Sequence, residues 1–126
     1  MRPKSLAEVA QLVAAGESFD LCLANFLDDF YHEPKAAALS AAPVLLRPAG
    51  GELGGVQDAY LAAAAEELAR GHGLAPPAWI GEETRKLRRP WFASPLGALR
   101  AVLLQESPPG FRARNLFVSQ NALSRA

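Results

Sequence analysis

Phe19-Asp20-Leu21-Cys22-Leu23-Ala24-Asn25-Phe26-Leu27-Asp28-Asp29-Phe30-Tyr31-His32 is the stretch on which the fold is read. Its apolar side chains at Phe19, Cys22, Leu23, Phe26, Leu27, Phe30 and Tyr31 recur every three or four positions, the spacing that lines one face of an α-helix. Asp20, Asp28 and Asp29, with Glu33 just beyond, fall on the opposite face. The pattern predicts a helix over Phe19–His32, capped by Ser18, with one buried stripe at the centre of the core.

Outward from it the same grammar repeats. Ser5 and Glu8 have capping-box spacing and open a helix to about Ala15, which Gly16 stops. Pro34 ends the central helix, and Lys35–Leu39 forms a short one before Pro43. Residues 43–55 hold Pro43, Pro48, Gly50, Gly51, Gly54 and Gly55 and read as a hinge or flap. It is no domain boundary, since neither side keeps more than about 50 to 70 residues for a core of its own. A third long helix follows from about Val56 to Arg70, with Tyr60, Leu61, Ala64 and Leu68 on its apolar face, stopped by Gly71 and Gly73. Pro76, Pro77 and Trp79 make a turn-rich connection, and Gly81–Leu87 holds a helical turn or two. Ser94 and Pro95 cap a helix from Leu96 to Glu106 with Leu96, Leu99, Val102 and Leu103 inward. Pro108 and Pro109 close it, and Leu116, Phe117 and Val118 are an extended anchor within a polar C-terminal segment. No internal repeat or heptad emerges.

Composition supports this reading. Ala and Leu contribute 44 of the 126 residues, whereas Val, Ile and Thr contribute eight. Straight-chain and small residues favour helices, and β-branched ones favour strands. Half the chain is hydrophobic, enough to exclude intrinsic disorder for most of it. The expectation is a single all-α domain over residues 1–126, a compact array of five or six helices with a short extended C-terminal segment. Cys22 alone makes no intramolecular disulfide and no zinc cluster, which suits a reducing cytoplasm. Glu8 and Gln11 interrupt any signal-peptide apolar region, and no run approaches a membrane span, so no membrane partner is expected.

Thirteen basic residues balance thirteen acidic ones, yet the balance is uneven along the chain. Residues 1–60 carry four basic against eight acidic side chains, and residues 61–126 carry nine against five. From Arg85 onward eight basic residues face Glu106 alone. A partner, if charged, belongs with the basic third.

Few side chains suggest chemistry. His32 follows Asp28 and Asp29 by four and three positions, a spacing seen in helical metal ligands. A cation in a helix's last turn is equally served by the helix dipole, and that reading needs no metal. His72, between Gly71 and Gly73, reads as a cap neighbour. Cys22 lies on the apolar stripe, where a thiol is a small hydrophobe. The glycines at 50, 51, 54 and 55 lack the Lys and Ser or Thr of a phosphate-binding loop. No catalytic residue, metal site or cofactor is therefore expected.

Arg88 and Arg89 lead directly into Trp91 and Phe92, a combination that suits a protein interface or a stacked nucleic-acid strand, and also a plain core aromatic with solvated neighbours. Arg112, Arg114, Asn115 and Asn121 add charge and amides that serve either a ligand or the chain's own backbone. Arg88, Arg89, Trp91, Phe92, Arg112, Arg114, Asn115 and Asn121 are the candidate partner-binding residues.

Arg89-Pro90-Trp91-Phe92, Leu99-Arg100-Ala101 and Ser107 to Arg125, together with Asp28-Asp29-Phe30-Tyr31 and Ala59-Tyr60-Leu61-Ala62, resemble the motifs of a family of small bacterial all-α proteins. Members of that family stand alone or follow a helix-turn-helix domain and look like antitoxins or regulators paired with nucleotidyltransferase-like toxins. Ala113 departs from the pattern, which more often has Arg there. The resemblance implies a non-catalytic interaction protein, antitoxin-like, whose partner protein is a toxin encoded beside it. The alternative is a DNA- or RNA-binding regulator using the same basic surface. The oligomeric state is open.

Overall fold

The computed structural model describes residues 2–125. Its fold is all-α, with six α-helices among the described residues: α1 (Leu6–Ala14), α2 (Phe19–His32), α3 (Ala37–Ser40), α4 (Arg47–Gly71), α5 (Arg100–Glu106) and α6 (Pro109–Arg112). Two-residue strands β1 (Trp91–Phe92) and β2 (Leu116–Phe117) pair in parallel, Trp91 opposite Leu116 and Phe92 opposite Phe117.

The two serine caps form as the sequence dictates, while the return bond of the capping box, from the Ser5 N–H to the Glu8 carboxylate, is not made among the described residues. Ser5 Oγ accepts from the Glu8 N–H at 3.1 Å and Ser18 Oγ from the Leu21 N–H at 3.2 Å, each satisfying a donor that the helix leaves free. Gly16 takes a φ of +108°, which a side chain would resist. Cys22, Leu23, Phe26, Leu27 and Phe30 are buried, with Phe26 stacked on Phe30 at 5.7 Å.

The centre of the molecule is α4, and α2 packs to one side of it. Ala59, Leu61, Ala62, Ala63, Ala64, Ala65, Leu68 and Ala69 are all buried, so α4 is enclosed on several sides. Small side chains allow this, because each lets a neighbouring backbone come close. One apolar cluster joins α1, α2, α3 and α4 with Trp79. A second joins α4 to Phe111, Leu116 and Val118, and Tyr60 and Leu123 border both. The Trp79 indole N–H donates to the Leu39 carbonyl at 2.9 Å, tying the connection after α4 back to α3.

The glycine-rich stretch 43–55, expected as a mobile loop, is built otherwise. The chain enters α4 at Arg47, reverses at Gly51 (φ +62°, ψ −138°) and runs on as the main helix. The reversal lays Gly54 against the Leu46 backbone and Gly55 against the Arg47 guanidinium, where a Cβ would collide. Asp58, fully buried, then accepts from the Leu46 N–H at 2.7 Å and the Arg47 N–H at 3.1 Å. The glycines thus serve close approach more than flexibility, and a charged side chain twelve residues on supplies the missing helix cap.

After α4, the expected turns over Gly81–Leu87 are two 3₁₀ turns, Ala78–Gly81 and Glu83–Arg85. Ser94 closes a turn through the Leu96 N–H, and a 3₁₀ turn at Gly97–Leu99 delays the α-helix until Arg100. No helix among the described residues is long and apolar enough to cross a membrane.

Candidate functional site

The eight candidate residues divide into an inward and an outward set. Arg114 is buried, with Nη1 2.9 Å from Glu66 and 2.6 Å from the Gly110 carbonyl, and Nη2 2.9 Å from the Ile80 carbonyl. It fastens the C-terminal segment to α4 and to the turn at Ile80. Asn115 adopts φ +63° and donates from Nδ2 to the Leu87 carbonyl at 2.7 Å, while its own carbonyl accepts from the Trp91 N–H at 2.8 Å. Short amide side chains tolerate this backbone region best, which explains an Asn at the entrance to β2. Arg114 is thereby removed from the surface, and the half-buried Asn115 has its side-chain amide committed within the chain.

Arg112 is exposed but anchored: Nη2 donates to the Gln105 and Ser107 carbonyls at 3.2 and 2.9 Å, covering the open C-terminal end of α5. Asn121 is exposed in the turn that follows Ser119, whose hydroxyl accepts its backbone N–H at 3.2 Å.

Arg88 and Arg89 are exposed and enter no ion pair among the described residues. They precede β1, where Trp91 and Phe92 are half-buried. Phe92 stacks on Phe117 at 5.1 Å, and the Arg100 guanidinium lies over the Phe92 ring at 4.9 Å. Arg100, at the start of α5, thereby joins the candidate surface; its i+8 position from Phe92 carried no helical signal, because the intervening chain is not helical.

The segment Leu96–Glu106 gives the surface its character. Leu103 alone is buried; Leu96 is 61 % exposed, Leu99 41 %, Val102 44 % and Leu104 47 %. Leu96, Leu99 and Val102 had been expected inward with Leu103. The 3₁₀ turn takes Leu96 and Leu99 out of step with α5, and within α5 Leu103 alone turns inward, with Val102 and Leu104 about 100° to either side of it. Ser107 fixes the far end: buried, its hydroxyl donates to the Leu116 carbonyl at 2.7 Å and accepts from the Val118 N–H at 3.3 Å.

Arg85, counted in the same basic run, is also turned inward. Its Nη2 donates to the Pro43 carbonyl at 2.6 Å and its Nε to Glu82 at 3.0 Å, with the guanidinium 4.8 Å from the Trp79 ring.

Asp28, Asp29 and His72 are occupied elsewhere, and His32 is exposed with no hydrogen bond or ion pair to either aspartate among the described residues. Asp28 pairs with Arg125 at 2.9 Å and Asp29 with Arg2 at 3.0 Å, bonds that hold both carboxyls below their usual range. His72 donates from Nδ1 to the Leu68 carbonyl at 2.9 Å and stacks on Tyr31, a cap over the end of α4. Burial, with Glu17 adding to it, pushes the Cys22 thiol up, away from a nucleophile's range. Burial raises the Tyr60 phenol to about 12. A cleft of about 440 Å³ lies between the end of α4 and the C-terminal segment. Part of its polar lining is bonded within the chain: the Tyr31 hydroxyl donates to the Leu123 carbonyl at 2.6 Å, and Glu67 accepts from Arg70 and the Gly110 N–H. Among the described residues no three His, Cys, Asp or Glu side chains come together.

Comparison with known protein families, with curated proteins and with solved structures found no match to this chain.

Proposed function

We propose that this chain is a non-catalytic interaction protein of the cytoplasm, an antitoxin-like partner that binds and neutralises a toxin protein encoded beside it. The observation that supports the interaction reading is the number of exposed large apolar side chains in one segment, Leu96, Leu99, Val102 and Leu104, which follows the exposed Arg88 and Arg89 and carries Arg100 against the half-buried Phe92. Exposed apolar side chains with Arg and aromatic neighbours are enriched at protein–protein contact regions. The toxin assignment rests on the motif resemblance alone.

Co-expression with the product of the adjacent gene tests both parts. A complex that co-purifies, and relief of growth inhibition caused by that product alone, are the expected results. Absence of both defeats the reading.

Arg88 and Arg89, exposed and free of ion pairs beside Trp91, favour one alternative, a nucleic-acid-binding regulator. Phosphate contacts lose affinity steeply with salt. Titration of a DNA duplex and a single-stranded RNA at two salt concentrations checks it, and no binding at either removes it.

A further inference from the structure

The chain changes character after Val118. Up to that point it is paired and buried: the Phe117 carbonyl accepts from the Ala93 N–H at 3.0 Å, the Val118 N–H donates to the buried Ser107 hydroxyl at 3.3 Å, and Phe117 and Val118 are both in the core. From 119 to 125 the only backbone–backbone bonds among the described residues close turns within the segment, from the Ala122 N–H to the Ser119 carbonyl at 3.0 Å and from the Ser124 N–H to the Asn121 carbonyl at 2.9 Å. Every polar tie to the rest of the molecule passes through a side chain. Glu106 accepts from the Gln120 N–H at 3.3 Å and the Ser119 hydroxyl at 3.4 Å, the Tyr31 hydroxyl donates to the Leu123 carbonyl at 2.6 Å, and Arg125 pairs with Asp28 at 2.9 Å. Between these clasps Gln120, Leu123, Ser124 and Arg125 line the cleft of about 440 Å³ together with Leu68 and His72.

We propose that residues 119–125 are a strap that opens as a unit from its fixed end at Val118 while the helical body stays folded, so that the cleft has a movable wall. Segments tied by few bonds, with little of their own surface buried, open at a lower free energy than the whole molecule. The strap fits that description: Ser119, Ala122 and Leu123 are half-buried, and Gln120, Asn121, Ser124 and Arg125 are exposed. A frayed end loosens from its last residue inward. This segment is instead clasped at its start by Glu106, near its middle by Tyr31 and at its end by Asp28, and Leu123 packs against both apolar clusters at the same point where Tyr31 holds its carbonyl. Lifting Leu123 breaks a hydrogen bond and an apolar contact together, which couples the residues on either side of it. The other end of the chain has a similar clasp, Arg2 on Asp29, but there the Ser5 cap and α1 begin within three residues and leave nothing to swing.

Hydrogen exchange of the intact protein, read by NMR at single amides, tests the strap. The Gln120, Ala122 and Ser124 amides report it, and the Leu61, Ala65 and Leu68 amides of α4 report the body. The three strap amides exchange through one shared opening constant, at least about a hundredfold larger than that of the α4 amides. Tyr31→Phe, which removes the hydroxyl and keeps the ring, raises the shared constant about fivefold, and Arg125→Ala, at an exposed position, raises it about twofold. Val9→Ala, in the buried face of α1, raises the α4 constant about tenfold and leaves the strap constant unchanged.

Equal opening constants for strap and α4 overturn the proposal, because the segment then leaves only when the molecule unfolds. Strap amides that follow Val9→Ala overturn it for the same reason. Amides that respond separately to the clasp variants exclude a unit, and amides indifferent to both variants show exchange with the clasps shut; either result defeats the strap. Arg125→Ala keeps the test decisive should Tyr31→Phe disturb α2, since its side chain lies outside the core.

Discussion

Arginine is the residue whose role the fold redistributes most. Five of the six between positions 85 and 114 look alike in sequence, Arg85, Arg88 and Arg89 as a basic run and Arg112 and Arg114 as a pair near the end. Arg85 and Arg114 are buried and hold carbonyls on distant segments, whereas Arg88 and Arg89 stand in solvent. The energetic consequence differs accordingly. Breaking a fully buried ion pair costs about 3–5 kcal/mol. Glu66 retains some solvent contact, so Arg114→Ala is expected to cost about 2–3 kcal/mol in chemical denaturation, the orphaned Gly110 and Ile80 carbonyls included. Arg88→Ala with Arg89→Ala is expected to stay within about 0.5 kcal/mol for each residue. A large loss in the second variant would mean that the outward set has structural partners of its own.

Among the elements, the entrance to α4 and the segment that ends in α5 depart furthest from what their sequences announce. The glycines at 50, 51, 54 and 55 satisfy every compositional rule for a loop, and nothing local says that Asp58 will reach back to cap Leu46 and Arg47. Two alanine substitutions separate the roles. At Gly54 a Cβ falls on the Leu46 carbonyl, a backbone atom that moves only with the whole turn. The overpacking cost of about 1–3 kcal/mol exceeds the helix-propensity gain of about 1 kcal/mol, so Gly54→Ala is destabilising. At Gly50 nothing lies within 4 Å and φ is ordinary, so Gly50→Ala is stabilising by up to about 1 kcal/mol. Urea midpoints shifting in the same direction for both would refute this account. In the segment ending in α5, the apolar positions were legible but their direction was not. A turn of 3₁₀ before Arg100 changes the angular step, so that the periodicity read at 3.6 residues per turn points Leu96 and Leu99 the wrong way, and Val102, one position from Leu103 in α5, turns to the flank of the helix.

At the scale of the whole molecule, both chain ends are fastened to α2. Arg2 binds Asp29, Arg125 binds Asp28, and the Tyr31 hydroxyl holds the Leu123 carbonyl. Hydrogen bonding to the arginines depresses both carboxyls below the model-compound value of 3.8 in the folded state. A depressed folded pKa means that the unfolded state takes up the proton first. The contribution of the pairs is therefore fully present above the unfolded value and fades as pH falls from there through the folded one. The difference in stability between the native chain and Asp28→Asn, Asp29→Asn is expected to be constant near neutrality and to shrink as the pH falls below the unfolded-state value of 3.8, measured by urea denaturation across that range. A difference that grows on acidification would contradict the pairing. The acidic first half and the basic second half meet here through Arg125 and Asp28, whereas Arg2–Asp29 lies within the first half and Arg114–Glu66 within the second. Part of the basic third is thus used internally by Glu66 and Asp28, and Arg88, Arg89 and Arg100 are what remains for a partner.

What the sequence by itself determined is the helical class, the bounds of α2 and the caps of α1 and α2. These depend on interactions within about four residues, where periodicity and a Ser side chain are sufficient. Only the tertiary structure decided that Arg85, Arg114 and Asp58 point inward, that α4 is the central helix, and that the outer side of α5 is bare. A polar side chain's burial depends on which carbonyls or carboxylates reach it, and Arg114 finds its partners at Glu66 and Ile80, 48 and 34 positions away. No local rule spans that separation, because it is the folded packing that removes the chain between them from consideration.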